Sequence, residues 1–277
     1  MKTFKLGLTA AAALALCTSV AQASPVVTSW SVINTATFVN PILPAGNTFP
    51  DPVLSSGNTV LSWGDTVNQS SLVITNSGAP VVVPDATLTS TVQVTHNNFP
   101  IPAGNSLTQA DILASLSLTS ATPSVGAPLA SGLTFTIRFI ETPNGGTAGI
   151  CANGGLPGFG INSAGCADIF VLSQNSLNFP FFYDSDGAIN GVDPEPYFAS
   201  FFATGLGTLS NASCAAAGAA AGCRGFETAE NASTTADFKI LISSTPFQVP
   251  EPGSTALIGG ALAALALAGR RRKPLEA

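Results

Sequence analysis

Leu133-Thr134-Phe135-Thr136-Ile137-Arg138-Phe139-Ile140-Glu141 is the stretch that decides the fold. Leu133, Phe135, Ile137 and Phe139 recur at every second position, with Thr134, Thr136, Arg138 and Ile140 between them. Side chains of a strand alternate between its faces, so one face enters a core and the other stays wetter. Working outward, residues 26–38, 58–63, 71–75, 86–96, 116–118, 169–172, 177–183, 197–204 and 238–242 share this signature. They are rich in Val, Ile, Thr and Phe, and Pro, Gly, Asn and Asp gather between them. Helical patterning is confined to the chain ends and to a turn or two over 108–115, with Thr108 as N-cap and Asp111 at N3. The expectation is an all-β fold: one jelly-roll-like β-sandwich domain over residues 24–249.

The ends differ in kind from this middle. Lys2 and Lys5 precede an apolar run over 6–16 and then Ala21-Gln22-Ala23, the layout of a secretory signal peptide cleaved after Ala23. At the other end, residues 255–269 carry no charge and are followed by Arg270, Arg271, Arg272 and Lys273. As a helix they would rise about 22 Å, short of the ~30 Å hydrocarbon core. The four cations act as a stop-transfer signal that keeps this end cytoplasmic. The chain thus divides into a signal peptide (1–23), an exported domain (24–249) and a tail (250–277) that anchors it transiently.

Of the 9 Lys and Arg, only Arg138, Arg224 and Lys239 lie in 24–249, against thirteen of the 15 Asp and Glu. A domain with a net charge near −10 argues against nucleic acid and anionic lipid as partners, and suits cations or neutral glycans. Its four cysteines, Cys151, Cys166, Cys214 and Cys223, form an even set in an exported chain and read as two disulfides. Local closure, 151–166 and 214–223, is the expected pairing among three. Neither spacing is Cys-x2-Cys and His96 is remote, which speaks against zinc.

Val249-Pro250-Glu251-Pro252-Gly253, the apolar run and the basic cluster together resemble the PEP-CTERM sorting signal of Gram-negative bacteria that make extracellular polysaccharide. The resemblance implies recognition by an exosortase, a membrane protease that cuts near Pro-Glu-Pro. Within the domain, Leu61-Ser62-Trp63-Gly64, Asp65, Thr95-His96-Asn97-Asn98 and the segment from Cys223 to Glu230 resemble the THxN subgroup of these proteins. That likeness implies an exported single-module protein and no assigned chemistry.

Two features invite a chemical reading. Asp184, Asp186, Asn190 and Asp193 crowd one acidic loop with the hard oxygens calcium prefers, although Gly187 comes too early for an EF-hand. His96 and Asn98 end a strand, where hydrogen bonds to backbone are the expected role. No Gly-x-Ser-x-Gly, His-Glu-x-x-His or phosphate-binding glycine loop occurs. The expected function is therefore non-enzymatic and without cofactor: an exported envelope or matrix protein that meets extracellular polysaccharide. A matrix glycan hydrolase is the alternative, since that chemistry needs only two carboxylates suitably apart.

Overall fold

The computed structural model describes residues 26–43, 52–64, 69–101, 107–124, 129–172, 179–184 and 195–247. Fourteen strands, one short α-helix and a 3-10 turn at Gly160–Asn162 are found there. They run β1 Ser29–Ile42, β2 Val53–Ser55, β3 Val60–Gly64, β4 Gln69–Asn76, β5 Val81–Pro84, β6 Thr89–Asn97 and β7 Gln109–Thr122. There follow β8 Leu129–Ile140, β9 Asp168–Leu172, β10 Phe179–Tyr183, β11 Glu195–Thr204, β12 Gly207–Thr208, helix α1 Asn211–Ala216, β13 Arg224–Thr228 and β14 Ser233–Ser243.

All pairings between these strands are antiparallel. One sheet has the order β12-β13-β9-β8-β7-β1-β5 and the other β10-β11-β14-β6-β4-β3-β2. The two meet face to face in a sandwich-like, mostly β fold. Phe38, Ile112, Ile137, Phe139 and Phe170 of the first sheet pack against Leu61, Trp63, Leu72, Val92 and Val94 of the second. A second core lies further along the same strands around Trp30, whose ring meets Phe181, Tyr183 and Tyr197 edge-on at 4.8–5.5 Å. Both tyrosine hydroxyls are used: Tyr197 accepts from Val27 N–H and Tyr183 from Ser120 N–H, each at 3.0 Å.

Two local expectations change, and β6 departs from simple alternation. Residues 108–115 are not helical but form the start of β7, where Ala110, Ile112, Ala114, Leu116 and Leu118 alternate inward. Tertiary burial of that period-two face outweighs the local capping signal. The threonines 87, 89, 91 and 95 do not share a face, because the pairing of β6 with β14 shifts register between Phe238 and Lys239. Thr91 and Val92 are consequently both buried, with Thr91 Oγ1 accepting from Asn34 Nδ2 of the other sheet at 2.9 Å. Finally, β9 is buried on both faces.

A third layer explains the last point. Disulfides join Cys151 to Cys166 and Cys214 to Cys223, as the local pairing predicts. The loops they close cover the outer face of β9, packing Ile169 and Val171 against Ala217, Ala152 and Leu209. Polar groups knit the loops together: Asn153 and Asn162 exchange amide hydrogen bonds at 3.1 Å. Glu227 accepts from Asn153 Nδ2 at 3.0 Å and from Ser213 Oγ at 2.6 Å. Gly225 is required beneath them, since a Cβ there would strike the Phe170 carbonyl across the β13–β9 pair.

Closing a 15-residue loop is worth about 3 kcal/mol by the chain-entropy estimate. Replacing Cys151 and Cys166 together by Ala should lower the unfolding free energy by about that amount in urea titrations. An unchanged midpoint would show that the loop contributes nothing to the fold.

Candidate functional site

At one end of the sandwich the inward-facing positions turn from apolar to ionisable. On β8 the buried face runs Ile137, Phe139, and its next member is Glu141. Across the β8–β9 pair Phe139 faces Phe170, and Asp168 stands one inward step further on. Phe226 stacks on Phe170 at 4.5 Å, Thr228 follows, and Glu230 occupies the turn where the chain crosses from β13 to β14, hence from one sheet to the other. Period two thus delivers all three acids to the same place. One carboxylate oxygen from each lies within 4.8 Å of those of the other two. Asp168 is 0% exposed and Glu230 3%, while Glu141 is half-buried.

The opposite sheet supplies His96, Asn98 and Trp63. The fully buried His96 ring is near-parallel to Trp63, 5.9 Å away, and meets Phe139 edge-on at 4.8 Å. Its Nε2 is 3.9 Å from Asp168 Oδ2. Trp63 Nε1–H donates to Glu141 Oε2 at 2.8 Å, a bond that spans the two sheets. Asn98 Nδ2 donates to the Thr228 carbonyl at 3.0 Å, tying β6 to the crossing turn. Gly165, at φ +138°, leaves the room that Glu230 fills: a Cβ there would lie 2.8 Å from Glu230 Cγ. Asp168 is held by the Thr142 backbone N–H at 2.8 Å, and Thr142 Oγ1 donates to the Cys166 carbonyl at 2.9 Å. The first disulfide loop therefore sets the position of the acid.

Burial controls the electrostatics. It raises Glu141 to about 7, with the Trp63 and Asp168 hydrogen bonds opposing and the charge of Glu230 adding. Asp168 is held well above the usual carboxylate range by burial first and by the neighbouring Glu141 second. Burial likewise raises Glu230 to about 7, opposed by Asn98. His96 is pushed down to about 3 by desolvation, so its imidazole is neutral. Such a set can share protons, or its carboxylates can hold a hard cation. Nearby polar atoms without a hydrogen-bond partner are Asp168 Oδ2, both Glu230 oxygens, both His96 nitrogens and Asn98 Oδ1.

Of the residues singled out in the sequence, the fold unites Trp63, His96 and Asn98. It turns Thr95 to the other face of β6, where its hydroxyl meets that of Thr235 at 2.9 Å. Asn98 has the expected backbone partner, but His96 has none and is a core residue facing acids rather than a strand-end donor. Asp184 ends β10. Its companions Asp186, Asn190 and Asp193 lie outside the described residues, as do Asp65, the signal segment 1–23, Val249 to Gly253 and Arg270 to Lys273. Missing from the sequence reading was the acid cluster itself. Its signal was present in Glu141, which extends the apolar phase of the strand read first.

The family described as the PEP-CTERM protein-sorting motif matches residues 248–273. No curated protein matches the chain. The motif is consistent with export through an exosortase system, with transient membrane anchoring, and it implies an exosortase-type processing partner.

The shifts fix the sign of a pH response. A carboxyl raised to about 7 in the fold contributes stability below its unfolded value near 4.5 and loses it as pH rises through 7. His96 acts oppositely, losing its contribution as pH falls below about 6.5 towards 3. In chelator, Glu230→Gln should therefore raise the thermal midpoint at pH 8 relative to the native chain and have little effect at pH 4.5. Equal effects at both pH values would refute the burial argument.

Proposed function

We propose that this chain is a non-enzymatic protein of the cell envelope or extracellular polysaccharide matrix, delivered by an exosortase-type protease that reads its C-terminal tail. The observation that carries the proposal is the sorting-motif match at 248–273, where Pro-Glu-Pro, apolar run and basic cluster stand in that order. The signal-peptide pattern over 1–23 supports the same route, and so do two disulfides, which persist in oxidising compartments. We place its domain in the THxN-type subgroup because Trp63, His96 and Asn98, together with Glu230 of the late motif, converge on one buried site.

In the matrix its role is structural or adhesive. Threonine and asparagine hydroxyls and amides offer hydrogen bonds to glycans, and the domain's acidity suits neutral chains or cation-bridged ones. A hydrolytic reading needs two carboxylates facing a sugar across an open groove. Among the described residues the acids that come together are Asp168 and Glu230, both buried between the sheets, and the half-buried Glu141, while a cavity of about 110 Å³ is lined by apolar residues such as Leu118, Phe179 and Phe201. We therefore assign no catalytic residue.

Fractionation tests the sorting claim. Replacing Arg270, Arg271, Arg272 and Lys273 by neutral residues, or Pro250-Glu251-Pro252 by alanines, should leave the protein unprocessed or misplaced in the inner membrane. Normal delivery of both variants would overturn it.

A further inference from the structure

The three acids at the end of the sandwich pose a problem of charge. Moving a carboxylate into an apolar interior without compensation costs several kcal/mol, and two or three together cost more through mutual repulsion. Compensation from the domain's own cations is ruled out by their positions. Arg138 donates to the Ala217 and Gly218 carbonyls at 3.4 and 3.2 Å, and Arg224 to the Leu206 carbonyl at 2.8 Å. Lys239 pairs with Asp237 at 3.7 Å. No other Lys or Arg exists between residues 24 and 249. The neighbouring imidazole, His96, is buried and carries no hydrogen bond on either nitrogen.

We propose that Glu141, Asp168 and Glu230 bind one calcium-class divalent cation inside this end of the sandwich. Three observations carry the assignment. One carboxylate oxygen from each acid lies within 4.8 Å of those of the other two, and two ligands of a calcium ion at 2.3–2.6 Å are separated by no more than about 4.6–5.2 Å. The three acids therefore stand close enough to share one ion. Fully buried polar atoms outside the acid trio also have no protein partner: His96, aimed at Asp168 Oδ2 from 3.9 Å, and Asn98 Oδ1 beside the crossing turn. The amide oxygen is a neutral ligand of the type calcium accepts. Last, the approach is built: Gly165 supplies the room for Glu230, the disulfide loop fixes Asp168 through Thr142, and half-buried Glu141 leaves a side for entry.

A cation there would fasten four segments at once: the ends of β8 and β9 in one sheet, the β13–β14 crossing turn, and β6 of the other sheet. Its role is structural, locking the two sheets together at the end where apolar packing stops. The site draws on none of the residues of the acidic loop Asp184 to Asp193, and it is independent of how the tail is sorted.

The test uses the purified full chain stripped with EDTA and titrated with calcium in a calorimeter. One ion per chain should bind, and calcium at a hundred times its Kd should raise the thermal midpoint by about 5–10 °C. Trp63 reports the site directly, because its indole N–H is bonded to a ligand carboxylate. Its emission should change with the same midpoint, and Trp63→Phe should lose that signal while keeping the thermal shift. Glu230→Gln should weaken binding at least tenfold, whereas Asp186→Asn with Asp193→Asn should leave it unchanged. The reverse pattern would move the ion to the loop and overturn the proposal. So would the absence of heat and of any thermal shift at millimolar calcium, a result that needs no variant to fold. Manganese binding more than tenfold tighter than calcium, and lost in His96→Gln, would replace the calcium assignment with an imidazole-bound ion.

Discussion

Removing the inner faces of two sheets from water is the event on which everything else in this domain depends. Neither seven-stranded sheet can bury its apolar side alone, so each dehydrates the other. Full burial of a large side chain such as Phe38, Phe139 or Leu72 is worth about 1.5–3 kcal/mol. Strands long enough to cross the whole interface carry this burden twice. β1 sends Trp30 and Val32 into one half of the core and Ala36 and Phe38 into the other. Between the halves lies Asn34, a polar residue on an inward position, and its amide reaches across to Thr91 in the facing sheet. One hydrogen bond at that point fixes how the sheets sit on each other more specifically than apolar contact can.

The same alternation that makes the core also carries acids into it. Once β8 has committed Ile137 and Phe139 inward, Glu141 must follow, and β13 commits Glu230 in the same way through Phe226 and Thr228. A shift of one residue would expose both acids and expose the phenylalanines with them. Register is therefore fixed by the apolar residues, and the acids are tolerated because the surroundings are fitted to them. Trp63 gives Glu141 a donor, Thr142 gives Asp168 another, and Gly165 makes room for Glu230. The disulfide-closed loops belong to this fitting as much as to the covering of β9.

How much of this could be read in advance follows from the range of each interaction. Alternation is local, so β1, β4, β6, β8 and β11 were visible within a few residues at their ends, and the two sheets follow from their number. Cysteine pairing was legible because each pair is close in sequence. The start of β7 reads as a helix because Thr108 and Asp111 mimic a helix cap, while the partners that make it a strand lie far along the chain. Trp63, His96 and Asn98 stand out in the sequence, yet a backbone bond is the local expectation for His96, since nothing near it in sequence reveals Asp168 seventy-two positions later. The acid cluster draws its members from β8, β9 and the β13–β14 turn. Only the closed sheets bring them together, and only the phase of Glu141 hinted at it.

Charge links the two ends of the chain to the interior of its domain. Six of nine cations sit near the two ends of the chain, at Lys2, Lys5 and Arg270 to Lys273. What remains is an acidic module whose three basic side chains are spent on backbone carbonyls and one surface aspartate. A domain so composed has no internal means of neutralising acids that its strand register forces inward. Compensation must come from outside the chain, as protons in acid or as a metal ion near neutrality. At neutral pH the two differ in kind. Protons saturate the site only where the medium is acidic enough, whereas an ion of suitable size fills it at a concentration set by its own affinity. The segregation of positive charge into the termini is thus what leaves the folded module dependent on the ionic composition of the space it enters.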